Sequence, residues 1–324
     1  FYSAIDSETD AVEGLSYLWT ETEIRETLGD DTELFYWVYG LTPMPEGEGQ
    51  VLYKISSADT AAAKVGMLSD VLRERLGELE ARLLRRRTNR KSPLVDTKVV
   101  TAWNGLMVDA YAFAYRVTGE NRYLEIATGA ADFLLAELRT DSGDLMRTFR
   151  EGTVKYRAYQ EDYAYLARGL MRLHSATGAA RWQDAAVDLT DRMVLRFWDE
   201  QRGGFHFTDG TDSLIVRTKN PFDAAMASRN AVAAHVLVGL ARDTGGRTYH
   251  DRALSLFQTF AHEIKEDPGR FTHQVAALDD YLHADWPAIL GALPTYGEIG
   301  FGNARMPPAL SLQALNLAGP SAGR

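Results

Sequence analysis

The sequence predicts an all-α fold, an α/α toroid of helical hairpins, and three observations predict it. The first is a repeat. TGENRYLEIA from Thr118, TGAARWQDAA from Thr177 and TGGRTYHDRA from Thr244 each carry Thr-Gly, an aromatic residue five positions after the Thr, and an Ala four positions further on. The second is period: Ala130 and Leu134, Leu189 and Met193, Leu256 and Phe260 lie seven and eleven residues past the aromatic. That spacing puts one apolar stripe on a helix that is polar elsewhere. The third is the character of the segments before each Thr-Gly. WNGLMVDAYAFAYRV, EDYAYLARGLMRLHSA and RNAVAAHVLVGLARD are apolar or small on most sides, as a helix buried nearly all round must be.

Each unit therefore pairs an inner buried helix with an outer half-wet one. The Gly between them suits the left-handed position that ends a helix. The Thr residues are 59 and 67 residues apart, longer than the roughly 34–47 residues of stacked tetratricopeptide or HEAT units. The surplus forms excursions after each outer helix, and loops gathered at one rim of a toroid build a bowl.

Taken in order, the chain opens on an acidic loop, FYSAIDSETD, and then predicts a helix near 69–87. That helix ends in 82-RLLRRRTNRK-91, whose cations suit the C-terminal dipole or form a docking patch for an anionic partner. The three hairpins follow. Within them, 202-RGGFHFTDGTDSLIVRT-218 alternates around Asp-Gly and reads as a β-hairpin at the rim. A last helix is predicted near 275–291. The barrel domain is drawn over 1–293 and an irregular tail over 294–324.

The net charge of −10 repels a phosphate backbone and argues against nucleic acid as the main partner. No stretch reaches about eighteen uninterrupted apolar residues, so no membrane span is expected. The chain has no Cys, hence no disulfide, thiol centre or thiolate metal site, and no His/carboxylate pair has ligand spacing. No metal or cofactor is predicted. The first residue is not Met and no signal segment follows it. The expectation is a chain that starts within a longer protein, and a cytoplasmic one.

Five ordered motifs carry a family resemblance: FYSAIDSETD with YLWTETEIRETLG, DTKVVTAWNGLM, QEDYAYLARGL, GGFHFTD, and IVRTKNPFDAAMASRNAVAA. From Phe1 to about Leu293 the sequence resembles the C-terminal part of the YyaL/spermatogenesis-associated protein 20 family. That resemblance implies a thioredoxin-like domain followed by an (α/α)6 barrel, similar to six-hairpin glycosidases and N-acylglucosamine 2-epimerases. The thioredoxin-like domain and the first part of the barrel are not in this sequence. The predicted helices fall short of the twelve of a closed ring, so the remainder is expected from a removed or separate piece, with an open crescent as the alternative.

Counting back fifteen residues from each Thr-Gly gives Trp103, Asp162 and Arg229, and one step later Asn104, Tyr163 and Asn230. An aromatic, a carboxylate, a cation and amides around a ring suit a polyol. Glu161 and Asp162 have two open readings, as dipole-favoured residues of a first helical turn or as acid/base groups raised by the aromatics around them. Asp6, in its acidic loop with Glu8, and Asp223 are the candidates for a second carboxylate. Asp96 (with Lys98), Arg217 and Lys219 are added as substrate-binding residues by their match to family positions, and the MASRN stretch departs from the family pattern at Arg229. His206 and His273 are the histidines expected at a rim, His174 and His235 are read as core, and His250 and His262 as outer surface.

Three functions are weighed. The leading one is a carbohydrate-active domain binding a sugar or uronic acid, with Asp162 as general acid or base. The second is sugar epimerisation using a rim His. The third is a non-catalytic scaffold working with a thioredoxin-like domain or with a chain that supplies the rest of the barrel.

Overall fold

A computed structural model describes residues 1–43, 49–211 and 215–291; the expected tail from 294 lies outside them. The described chain divides into two compact units, residues 2–97 and residue 1 with residues 98 onward.

The first unit has short strands Ala4–Ile5 (β1), Glu8–Thr9 (β2), Val12–Glu13 (β3), Tyr39–Pro43 (β4), Gln50–Lys54 (β5) and Val95–Asp96 (β6), paired β1 with β6, β2 with β3 and β4 with β5. Its helices are Glu21–Leu28 (α1), Thr32–Tyr36 (α2), Ala58–Val65 (α3) and Ser69–Thr88 (α4). Ile24, Leu28, Phe35, Leu72, Leu76 and Leu79 form a core of their own. The long helix α4 matches the predicted one. At the end of its basic stretch, the Arg90 guanidinium lies 4.2 Å from the Trp19 ring centre and donates to the carbonyls of Ser16 and Leu18.

The second unit is built of the three predicted hairpins: Thr101–Thr118 (α5) with Asn121–Glu137 (α6), Gln160–Thr177 (α7) with Ala180–Phe197 (α8), and Arg229–Thr244 (α9) with Arg247–Thr259 (α10). Short helices Ala261–Glu266 (α11), Thr272–Leu282 (α12) and Trp286–Leu290 (α13) follow. Inner helices pack in chain order, α5 on α7, α7 on α9 and α9 on α12, and each outer helix backs its own inner one. This is the all-α, toroid-type connectivity predicted, with four inner helices among the described residues. The late helix is broken rather than continuous over 275–291. Asp285 starts α13 by accepting the Ala288 N–H at 3.2 Å, and Pro287 follows at its first turn.

The Thr-Gly turns repeat to atomic detail. Gly119, Gly178 and Gly245 sit at φ +74°, +68° and +67°, a region where only Gly is unstrained. Each Thr hydroxyl donates to the carbonyl four residues back, at 2.9, 2.7 and 2.6 Å, and accepts the N–H two residues on, at 3.2 Å in all three. One hydroxyl thus satisfies a helix-end carbonyl and fixes the entry of the next helix, which is why Thr recurs.

The rim carries a small sheet, Val99–Val100 (β7), Met146–Arg150 (β8) and Thr153–Arg157 (β9), in that order and antiparallel. Its two-residue turn has Glu151 at φ +50° and Gly152 at +75°, the geometry that matches strand twist. The excursion over 202–218 differs from expectation. Its described residues form no strand pair; a single bridge joins Trp198 to Phe205, and Phe207 donates to the Thr218 carbonyl at 2.8 Å. The glycines at 203 and 204, both with positive φ, favour bends over a ladder.

Candidate functional site

Asn104, Tyr163 and Asn230, near the start of each inner helix, are buried. Tyr163 accepts the Leu145 N–H on its hydroxyl at 2.9 Å. Asn230 accepts the Phe205 N–H at 2.8 Å and donates to the Phe205 carbonyl at 3.1 Å. Asn104 donates to the carbonyls of Val100 and Phe1, both at 3.0 Å. Leu145 and Phe205 are equivalent positions in two rim loops. Next to each, Met146 and His206 donate back to the outer-helix ends at Leu138 and Phe197, both at 2.8 Å. Tyr163 and Asn230, two of the side chains that the sequence assigned to a sugar, hold these two loops.

The loops deliver the charges. Arg147, between Met146 and Thr148 on β8, donates to Glu161 Oε1 and Asp162 Oδ2 at 3.0 Å each. Its guanidinium also lies 4.6 Å from the Tyr159 ring centre. On the other side, Arg229 stands 3.9 Å from Glu161 Oε2 and 4.0 Å from the Phe207 ring centre, and Phe207 packs on Tyr159 at 4.6 Å. The result is a chain of alternating charge, Asp162–Arg147–Glu161–Arg229, laid over two aromatic rings. Burial works against the charge on Arg147, but Asp162 and Glu161 outweigh it and raise its pKa. On Arg229 burial wins and the pKa is lowered.

The two carboxylates differ. Asp162 is completely buried. Its Oδ1 accepts the Ala102 N–H at 2.9 Å, and its Oδ2 accepts the Tyr159 N–H at 2.8 Å beside the Arg147 bond. It therefore starts its own helix and ties in the next one. Burial pushes its pKa up to about 7, against the pull of Arg147 and the two amides. Glu161 keeps 12% of its side chain exposed, with one oxygen held and the other facing Arg229 across 3.9 Å.

Asp223 belongs to the same neighbourhood. Burial first, and the charge of Glu161 next, push the Tyr165 hydroxyl up to about 12, with Asp223 and Asp162 adding and Arg229 opposing. Asp223 itself accepts from the Ser228 N–H at 2.7 Å, the Thr272 hydroxyl at 3.0 Å and the His273 N–H at 3.0 Å. Burial opposes its ionisation, but these donors hold its carboxyl below the usual range. His273 lies beside it, Nδ1 to Oδ2 at 3.3 Å, and connects it to His235 on α9. Burial, then Arg168, lower the His235 pKa to about 4 against the pull of Asp280, whose Oδ2 is 3.6 Å from Nδ1.

Trp103 is exposed. Arg217, Lys219 and His206 gather with Asp199 in a separate part of the rim. Asp6 and Asp96 belong to the first unit. Asp6 is exposed and accepts the Glu8 N–H at 3.0 Å, while Asp96 accepts the Ser3 hydroxyl at 2.8 Å. His250 is not at the outer surface as expected. It is buried, with Nε2 2.9 Å from the Tyr281 hydroxyl and its ring against Trp286. Among the described residues, no three His, Asp or Glu side chains form a metal-holding group, and no helix is long and apolar enough to cross a membrane. Sequence reasoning missed Arg147 and Phe207. The alternation of LMRTFR was the available signal for the first, and the echo of GGFHF the signal for the second.

Residues 86–292 match the N-acylglucosamine 2-epimerase (GlcNAc 2-epimerase) family. Spermatogenesis-associated protein 20 of Homo sapiens is 32% identical over 316 residues, which cover 86% of this chain and 40% of that protein. The Rattus norvegicus protein of the same name is 31% identical over 317 residues, with the same coverage. The chain thus spans about 40% of the length of these curated relatives. Among solved structures, an α-mannanase from Bacteroides thetaiotaomicron is similar with TM-score 0.47 and 20% identity, over 62% of this chain and 56% of that one. The cellobiose 2-epimerase of Spirochaeta thermophila gives 0.45 and 15%, over 61% and 56%.

Proposed function

The chain belongs to the N-acylglucosamine 2-epimerase family, and on that premise we propose a domain that binds a sugar or uronic acid and moves a proton on it. Glu161 is the proton-transfer group in this reading. One observation carries it: of Glu161, Asp162 and Asp223, Glu161 is the carboxylate with the most acceptor capacity to spare. Asp162 takes three donors and Asp223 three, of the about four that a carboxylate accepts, whereas Glu161 takes one. Arg147 aims Glu161, with Asp162 as a positioning residue behind it. Trp103, exposed, offers a ring face for a sugar, and Arg229 offers a cation for the carboxylate of a uronic acid. For hydrolysis, Asp223 is the proposed second carboxylate.

The test begins with a thermal-shift screen of mono- and oligosaccharides, in which a ligand at 100 times its Kd adds about 2.7 kcal/mol. With a responding sugar, Glu161→Gln is expected to lower turnover by roughly 10²–10⁴-fold while leaving the melting temperature near that of the parent. If the variant turns the sugar over at the parental rate, Glu161 has no chemical role. Absence of any response from the whole panel would favour a scaffold that serves a thioredoxin-like partner.

A second reading, 2-epimerisation, is favoured by the family and by the state of His235. With its pKa near 4, this imidazole is neutral at pH 7, the form in which its ring lone pair is free, and His273 is its proposed partner. Incubation of a reducing aldose in D2O decides it: deuterium enters C2 under epimerisation, and His235→Gln abolishes the incorporation. Turnover without label at C2 rules the reading out.

A further inference from the structure

We propose that the groove beside the second rim loop is a binding site for a small oxyanion, a phosphate or carboxylate group, held by Arg217, Lys219 and Arg202. The groove has a volume of about 640 Å³ and is walled by these three cations together with His206, Phe222 and, among the described residues, one acid, Asp199. Three permanent positive charges face one carboxylate, in a chain whose net charge is −10. At the Glu161 site the balance is different: Arg147 meets two carboxylates and Arg229 one. In the groove the described positive charge exceeds its local partner, three cations to one carboxylate.

The donors also have capacity left. Lys219 Nζ donates to Asp199 Oδ2 at 2.5 Å and to the Gly203 carbonyl at 2.8 Å, which uses two of an ammonium's three hydrogens. Arg217 spends Nε and Nη2 on a single acceptor, the Thr208 carbonyl, at 3.0 and 2.5 Å. Its Nη1 edge has no hydrogen-bond partner among the described residues. The Arg202 guanidinium has neither an ion pair nor a hydrogen bond among them. Two anchored cations and one uncommitted one are a suitable set for an oxyanion: the first two fix its place, and the third has all its donors to give.

His206 reports the sign of the field. Its Nε2 is 3.4 Å from Asp199 Oδ2, a contact that by itself favours the imidazolium. The pKa is nonetheless lowered, by burial first and then by Arg217 and Lys219, which outweigh Asp199. An anion seated among these cations would reverse that balance and raise the His206 pKa. The inference stands apart from the sugar reading, since it concerns binding alone and needs no turnover.

The experiment is an NMR titration of the histidine ring signals on the full chain. Inorganic phosphate is added first and acetate, as the carboxylate probe, in a separate series, with ionic strength held constant by NaCl. His206 is assigned from the signal missing in His206→Gln. A saturable upward shift of the His206 pKa with either probe is expected, and comparison of the two series tells a phosphate site from a carboxylate site. Arg217→Gln and Lys219→Gln should each weaken the probe about tenfold, the loss of one charge-assisted hydrogen bond. Lys219→Gln retains a donor for Asp199, and Arg202→Gln changes an exposed side chain, so one informative variant remains even if Arg217→Gln misfolds. No saturable shift with either probe, or an equal shift in the Arg202 and Lys219 variants, overturns the proposal.

Discussion

The carboxylate of Asp162 accepts the main-chain N–H of Ala102 at 2.9 Å, joining the first turns of two inner helices whose residues are sixty apart in sequence. Its other oxygen closes the start of its own helix on the Tyr159 N–H and takes Arg147 from the rim strand. One fully buried side chain therefore fixes α5, α7 and β8 together. Asp162→Ala would leave the buried Ala102 N–H and the half-buried Tyr159 N–H unpaired and Arg147 with one carboxylate. Removing one partner of a buried charged network costs about 3–5 kcal/mol, and the lost helix start is included in that figure. Urea unfolding measures it. A loss under about 1 kcal/mol would mean that the junction contributes nothing to stability.

A second prediction concerns the crossing of α5 and α7. A Cβ placed on Gly105 would lie 2.6 Å from the Leu166 nitrogen and 2.7 Å from the Tyr165 carbonyl carbon. A Cβ on Gly169 would lie 2.8 Å from the Gly105 carbonyl oxygen. The obstacles are backbone atoms, which cannot rotate aside, so the helices must separate. Gly105→Ala is expected to cost about 2–3 kcal/mol despite its better helix propensity. Gly129→Ala, on an outer helix with nothing within 4 Å of the new carbon, should instead be neutral or stabilising. The two melting temperatures should move apart, and equal values would refute the close crossing.

What the sequence made legible was local. The Thr-Gly turns are spelled out because Thr118, Thr177 and Thr244 each act on carbonyls and amides within four residues of themselves. The inner and outer stripes follow from period alone. Glu161 and Asp162 were recognisable as a pair, but their roles depend on Arg147, which reaches them through the pairing of β8 with β7, a contact set by tertiary packing. The burial of His250 was equally illegible, because the residues that cover it, Tyr281 and Trp286, lie in late helices more than thirty residues away. Asn104, Tyr163 and Asn230 were found by position and read as ligand groups; loop anchors and ligand groups use the same polar atoms at the same helix starts.

The third prediction concerns acid stability. His235 has a folded pKa of about 4 against 6.5 for the free side chain, so between those values the unfolded chain binds a proton that the folded chain refuses. Stability from this group is complete above pH 6.5 and is lost as the pH falls toward 4, by at most about 1.4 kcal/mol per pH unit. His206, also lowered, has the same sign. Asp162, raised to about 7 from 3.8, has the opposite sign: the folded chain holds a proton that the unfolded chain has released, so its contribution falls as the pH rises from about 4 to 7. The two slopes oppose one another across one window and flatten the parent's profile. His235→Gln cannot take up charge, so relative to the parent it should gain stability as the pH falls from 7 to 4.5. Asp162→Asn should show the reverse, a steeper acid loss than the parent over the same range. Urea midpoints at half-unit pH steps test both signs. Parallel profiles for the parent and His235→Gln would show that the imidazole is not held neutral by burial beside Arg168.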